Sequence, residues 1–343
     1  MTQGRGWRTG GLARVDICPA DIGRRVTIRH RLSSGQLTDV VGLLESWRSR
    51  DSEGSPLTRS ALTVRNRHGI SIEVEPRAMV AARVVAPEAS AYDMQRLSEQ
   101  GWAAVESQPL GDWVLRSAHG VTGRANSARV AGDPGMSTAD ALECVVQWYG
   151  GRGLTPRLQV PETTDREDTF TAQGWFVDRR TRFLVADSAA VAAHERSTAS
   201  EVVIERLEAP SDEWMSVLAD ESRDTWPILR SILTSPTEVT LVAARDKSTG
   251  LTLGVGRASA STSRIAGSRW AGLTNIHTVP SARRRGIATV VIAELATWAL
   301  SLGCQRTYVQ VLDDDDANAL YSKLSFEYHH TYGYWVPSEG VRP

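Results

Sequence analysis

Ile276-His277-Thr278-Val279-Pro280-Ser281-Ala282-Arg283-Arg284-Arg285-Gly286-Ile287-Ala288 decides how this chain reads. Upstream, Gly272 to Thr278 predicts a strand. Downstream, the apolar run Ile287 to Leu302 predicts a helix. Between them lies a short loop of consecutive arginines ending in a glycine. A helix start carries unpaired amides and the positive end of a dipole. Gly286 lets a phosphate approach the backbone, and Arg283, Arg284 and Arg285 add planar cations that grip phosphate oxygens two at a time. The segment reads as a cradle for a pyrophosphate. The plainer alternative is a solvated turn with an accidental arginine run.

A second segment follows at Asp314-Asp315-Asp316-Ala317-Asn318-Ala319-Leu320-Tyr321-Ser322-Lys323-Leu324-Ser325-Phe326. It predicts a helix over Asp315 to Leu324, a tight turn and an aromatic strand. Tyr321 alone would be a core-edge residue.

In this order and spacing the two segments resemble the GCN5-related N-acetyltransferase (GNAT) superfamily. Its signature Arg/Gln-x-x-Gly-x-Gly/Ala is matched by Arg283, Gly286 and Ala288, with Pro280 before it; Ala-x-x-x-Tyr-x-x-x-Gly-Phe is matched by Ala317, Tyr321 and Phe326. The resemblance covers residues 200–336. Ser325 replaces the usual glycine, and Asp314 stands where an asparagine is frequent. The resemblance implies acetyl-CoA as co-substrate, with its pyrophosphate on the amides of Arg284 to Ala288. Its pantetheine arm would run beside Ile276, His277 and Thr278 as an added strand, and Asp314 would accept a hydrogen bond from it. An amide near Ile276 would polarise the thioester carbonyl, Tyr321 would protonate the leaving thiolate, and no metal is needed. The strand Trp270 to Asn275 lacks the glutamate that some members use as base. His277, Glu238 and an ordered water stay open, with alternation pointing His277 away from the acyl group.

Upstream the same rhythm recurs. Adding 151 to Gln159-Val160 lands on Gln310-Val311, and the ungapped register carries Phe170 onto Tyr321, Gly174 onto Ser325 and Gly135 onto Gly286. Two copies of one fold are expected. The first is stripped of chemistry. Gly132-Asp133-Pro134-Gly135 replaces the arginine loop, where Asp133 repels phosphate and Pro134 lacks an amide donor, and Phe170 has no proton to give. Ahead of both lie short alternating strands over residues 26–86, reading as a small SH3-like β-barrel of antiparallel strands. The expected organisation is an irregular lead-in over 1–25, that barrel, a degenerate GNAT-like half over 90–195 and a catalytic half over 200–338. The fold class is α+β with a mixed sheet, in tandem halves.

Composition bounds the rest. Against 39 Lys+Arg stand 40 Asp+Glu, a balance that argues against nucleic acid as partner. The cysteines, Cys18, Cys144 and Cys304, are sparse and form no CxxC, which predicts neither a disulfide framework nor a zinc site. With no apolar leader and no helix long enough for a bilayer, a soluble cytoplasmic protein is expected.

The layout resembles an actinobacterial family of tandem GNAT proteins, some regarded as N-acetylglutamate synthases in arginine synthesis. Leu115 to Ser127 looks characteristic of it. An acetyl-CoA-dependent N-acetyltransferase is expected, acting on a primary amine, with the α-amine of glutamate as first acceptor and a protein N-terminus or lysine behind it. Arg223, Arg230 and, from the first half, Arg124 are the cations expected to hold a carboxylate. The alternative from another class is a non-catalytic module that binds acyl-CoA or a partner.

Overall fold

The computed structural model describes residues 7–8, 14–48, 61–66, 70–85, 89–162, 166–194, 201–218, 222–263 and 268–338. Two compact units divide the chain, Met1–Glu88 and Ala89–Pro343.

Alternation builds the first unit. Its strands are β1 (Trp7–Arg8), β2 (Arg14–Asp16), β3 (Arg25–Arg31), β4 (Leu37–Arg48), β5 (Ala61–Asn66), β6 (Ser71–Val74) and β7 (Met79–Val84). They form one sheet in the order β1-β2-β7-β3-β4-β5-β6. Every second residue points inward, and Val26, Ile28, Val40, Leu44, Leu62, Val64 and Val74 make one core. At Gly42 a Cβ would stand 2.0 Å from the Arg65 carbonyl oxygen, so the β4–β5 crossing admits only glycine. The stretch expected as an irregular lead-in instead contributes β1, β2 and a 3-10 turn at Pro19–Asp21. Val15 and Asp16 pair in parallel with Ala82 and Arg83, which covers the edge that β7 would otherwise expose. The expected boundaries at 86, 195 and 200 lie outside the described residues.

The second unit carries α1 (Ala91–Gln100), β8 (Glu106–Leu110), β9 (Trp113–Ser117), β10 (Ala128–Arg129), α2 (Thr138–Gly150), β11 (Leu158–Pro161), α3 (Glu167–Ala172), β12 (Trp175–Asp187) and α4 (Ser188–Ala192). It continues with β13 (Val202–Leu207), α5 (Asp212–Val217), α6 (Trp226–Thr234), β14 (Val239–Asp246), β15 (Thr252–Thr262), β16 (Arg269–Thr278), α7 (Ile287–Ser301), β17 (Arg306–Leu312), α8 (Ala317–Lys323) and β18 (Glu327–Pro337). All strands join one sheet, ordered β13-β14-β15-β16-β17-β12-β18-β11-β10-β9-β8.

That order is nearly symmetrical about β12 and β18. The 151-residue shift places α2 on α7, β11 on β17, α3 on α8 and β12 on β18. It also matches backbone conformation: φ is +77° at Gly135 and +80° at Gly286, and +77° at Gly174 and +66° at Ser325. The two final strands are exchanged. β12, which ends the first half, pairs along Thr181–Asp187 with β17 of the second. β18, which ends the second, pairs along Tyr332–Trp335 with β11 of the first. β12 and β18 each read in sequence as two short strands. Bulges at Asp178 and His329 interrupt their alternation without breaking either strand.

Alternation sorts the strands onto two faces. Leu184, Val242, Ala244, Leu273, Val309 and Val311 pack under α7 and α8. Leu241, Ala243 and Val255 face α5, α6 and the loop residues Ala118, Val121 and Ala125 of the first half. A buried polar chain ties the halves together. Arg116 Nη2 donates to Gln159 Oε1 (2.6 Å), Gln159 Nε2 to Gln95 Oε1 (2.6 Å), and Gln95 Nε2 meets His330 Nε2 (3.1 Å).

Candidate functional site

The parallel strands β16 and β17 pair only through Trp270–Gly272 and Arg306–Tyr308. Beyond that β16 runs on to Thr278 along β15, and β17 to Leu312 along β12, so the two part and leave a gap in the sheet. A bulge accentuates the parting. Val255 faces His277 and Arg257 faces Thr274, so Asn275 and Ile276 together oppose Gly256. Asn275 takes a left-handed φ of +52°, and its Oδ1 is buried without a hydrogen-bond partner. Backbone amides and carbonyls of β16 that no strand pairs are those an extended ligand arm could use.

At the end of β16 a 3-10 turn, Pro280–Ala282, leads into the arginine loop. Arg284 has φ +63°, and Gly286 caps α7 at φ +80° with no side chain bonded to the first helical amides. The helix therefore begins bare, positive end outward. It lies close on the sheet because β15 has glycines beneath it. A Cβ at Gly254 would come 2.6 Å from Ile287 Cγ2, and one at Gly256 2.5 Å from Val291 Cγ1. Arg283 and Arg284 are exposed, while Arg285 pairs with Glu201 at 2.8 Å. Ile287 is a core residue, and Ala288 is half-buried beside it.

The first half shows what closing such a loop looks like. Asp133 Oδ1 accepts from the Gly135 amide at 2.9 Å, and Asp112 Oδ2 from the Asp133 amide at 3.0 Å. Ser137 Oγ caps α2 by accepting from the Asp140 amide at 3.2 Å. Carboxylates and a hydroxyl already hold amides that a phosphate would need. Phe170 is fully buried, edge-on to Trp113 and Trp335.

Tyr321 projects from α8 into the cluster that also holds Ile287 and Val311. It is 8% exposed and sits edge-on to Phe326, ring centres 5.4 Å apart. Burial, with Asp315 adding to it, pushes its phenol well above the ordinary range, so it holds its proton at neutral pH. The phenol and the α7 amides thus share one face of the sheet, beside the gap. Asp314 is exposed in the turn after β17. The amide that shapes that turn belongs to Asn318, whose Nδ2 donates to the carbonyls of Leu312 (2.8 Å) and Asp315 (2.9 Å).

His277 is exposed and, through the bulge, shares the face of Val255 and Arg257, opposite Tyr321. Glu238 is removed from the site. It pairs with Arg269 at the start of β16, about 20 Å from Ile276 at the rise of an extended strand. As a base candidate it is corrected: its position just before β14 puts it at the wrong end of the neighbouring strand.

The three expected substrate cations fare differently. Arg230 is bound to Asp212 and donates to the Pro210 carbonyl at 2.6 Å. Arg223 lies exposed over the Trp226 ring at 5.0 Å. Arg124 lies 5.2 Å from the Trp102 ring centre, with its Nε buried and unpartnered. Arg257, which sequence reasoning missed, approaches the same indole at 5.3 Å and is fully buried. An arginine inside the otherwise apolar, small-residue strand Leu253 to Ala258 was the available signal. Among the described residues no cluster of His, Cys, Asp and Glu could hold a metal, and no helix is long and apolar enough to cross a membrane.

Comparison with known proteins adds to this geometry. Residues 93–335 match the family model described as "Probable histone acetyltransferase Rv0428c C-terminal", and residues 20–83 match "Rv0428c N-terminal Sm-like domain". The "Probable histone acetyltransferase Rv0428c" of Mycobacterium tuberculosis is 30% identical over 329 residues, 93% of this chain and 96% of that protein. A GCN5-related N-acetyltransferase from Kribbella flavida superposes with a TM-score of 0.55 at 17% identity, covering 73% of this chain and 96% of its own. A tandem GNAT protein from the clavulanic acid biosynthesis pathway gives 0.50 at 13% identity, covering 74% and 92%. At these identities the two solved structures speak for the fold.

Proposed function

This chain belongs to the family of Rv0428c and is a GNAT-type acetyltransferase, and on that premise we propose that it moves acetyl from acetyl-CoA to the α-amine of a small acid, glutamate first. The observation that carries the reading is the gap between β16 and β17 opening onto the uncapped start of α7. The pyrophosphate rests on the amides of Arg284 to Ala288, with Arg283, Arg284 and Arg285 around it. The pantetheine arm lies along Ile276-His277-Thr278, and Asp314 accepts from its amide.

A neutral amine attacks the thioester carbon. An N–C bond forms, the oxyanion is held by an amide near Ile276, and the C–S bond breaks. Tyr321 gives its proton to the departing thiolate, and the surplus proton on the newly bonded nitrogen leaves through water and restores the phenol. Free amines are mostly protonated at neutral pH, so one proton must first leave; His277 or a water on the acceptor face takes it. The first half binds no acetyl-CoA and serves the acceptor side. A lysine acceptor is the second reading, favoured by the name of the M. tuberculosis relative.

The test is thiol release from acetyl-CoA with glutamate, glutamine, putrescine and a lysine-containing peptide at equal concentration. Glutamate should lead. No thiol release with any amine would leave a binding module, and a lead for putrescine or the peptide would move the acceptor away from acids.

A further inference from the structure

We infer that the acceptor pocket is built to receive an anionic group, and that the first half supplies its cation, Arg124, to the second half's site. The amine's fate rests on the acetyl-transfer reading above; the anion rests on what surrounds Trp102.

Arg257 lies on β15 with no exposed surface. Its guanidinium donates to the Leu233 carbonyl (2.7 Å), the Gly101 carbonyl (2.9 Å) and Thr274 Oγ1 (3.2 Å). These are neutral acceptors, and no carboxylate among the described residues pairs with it. Its hydrogen bonds are satisfied while its charge is not. Burial pulls its pKa down to about 9, with Arg124 adding to the fall, so it is still cationic at neutral pH. Arg124 stands against the same indole, half-buried, its Nε without a partner and its charge felt by Arg257, Tyr308 and Tyr332. Two like charges thus share one indole, one fully buried and one half-buried, and neither has an acid partner among the described residues. A buried charge is expensive unless paired. Buried Arg116 is likewise held by neutral acceptors alone, whereas Arg129 pairs with Glu99, Arg245 with Glu205 and Glu213, and Arg230 with Asp212.

The position gives the pair a purpose. Arg257 holds Thr274, which adjoins the bulge where β16 leaves β17, and Asn275 presents a buried, unpartnered Oδ1 there. Trp226 Nε1, in the same core cluster as Trp102, is a further buried donor without a partner. Unused donors on one side and an unused acceptor beside the gap match an amine-bearing anion, acid toward Arg124 and amine toward Asn275. Arg257 acts through Trp102 and Thr274 and is a positioning residue. The same charges oppose a polycationic acceptor such as a lysine-rich tail.

The experiment is calorimetric titration in the presence of coenzyme A, with L-glutamate, L-aspartate, putrescine and a lysine-rich peptide as probes. At least one acidic amine should bind on the order of ten- to a hundredfold more tightly than the other two, the usual worth of a hydrogen bond to a charged group. R124Q should abolish the difference and R124K recover part of it, neither with a lowered melting temperature. Equal binding of putrescine or the peptide, no binding by either acid, or full retention in R124Q would overturn the inference. Arg124-dependent binding of an acid with no thiol released from acetyl-CoA would overturn the transfer reading and leave the anion site standing.

Discussion

His329 Nδ1 and His330 Nδ1 stand 2.8 Å apart, so one ring must donate to the other. The chain behind them decides which. Gln159 Nε2 donates to Gln95 Oε1, leaving Gln95 Nε2 to donate to His330 Nε2. His330 therefore carries its proton on Nδ1 and donates to His329, and His329 donates from Nε2 to the Ala89 carbonyl at 2.9 Å. Both rings are neutral in this arrangement.

Burial, with His329 adding to it, drops the His330 pKa to about 3. The unfolded chain takes up a proton near the ordinary value of about 6.5, and the folded chain does not. Stability is thus full above that pH and falls as pH is lowered from there toward 3, by up to about 1.4 kcal/mol per pH unit. Urea denaturation from pH 7 to 4.5 should show the slope, and His330→Asn, which does not titrate, should flatten it. Equal slopes in both proteins would remove His330 as the cause.

Tyr321→Phe should lower kcat by about 10²–10⁴ and leave the KM for acetyl-CoA nearly unchanged. The ring stays against Phe326, so the fold is kept. A variant turning over like the parent would make Tyr321 a packing residue.

Gly286→Asp should weaken acetyl-CoA binding sharply, and Gly135→Asp should not. Both positions hold nearly the same left-handed φ, so the backbone cost is shared and only the ligand distinguishes them. Calorimetric titration of the two variants checks it; matching losses would contradict the closed first loop.

Gly256→Ala should destabilise the fold by about 1–3 kcal/mol, because the new methyl meets Val291 Cγ1 at 2.5 Å and Leu295 Cδ1 at 3.0 Å. A melting temperature equal to the parent's would show that α7 can move outward freely.

A chain beginning at Glu201 should fail to fold cooperatively, since β17 loses β12 along seven residue pairs and presents a bare edge. Circular dichroism and gel filtration read this directly. Supplying residues 89–200 as a separate chain should restore a soluble complex.

Much of the second unit was legible because its signals are local. The helix expected over Ile287 to Leu302 ends within one residue of α7, and the one expected over Asp315 to Leu324 contains α8. Ser325 in place of glycine still forms the left-handed turn that the motif needs. What escaped was non-local. Nothing in the alternation of Trp175 to Val185 says that its partner is Tyr308 and Val309 of the other copy. Arg257 and Arg124 lie 133 positions apart and meet only because the loop after β9 folds over α6. Glu238 was misjudged for the same reason: proximity in sequence to β14 says nothing of which end of β16 it reaches.

The exchanged strands also fix a timetable. β11 has β10 on one side and β18 on the other, and β18 follows every other described strand in the chain. On the ribosome the first half emerges complete in sequence but with one flank of β11 open, and it must wait for Glu327–Pro337 before its sheet closes. Folding of this unit therefore cannot finish before Glu327–Pro337 has been made. Until then the open flank of β11 is an unpaired edge of the kind that pairs with other chains.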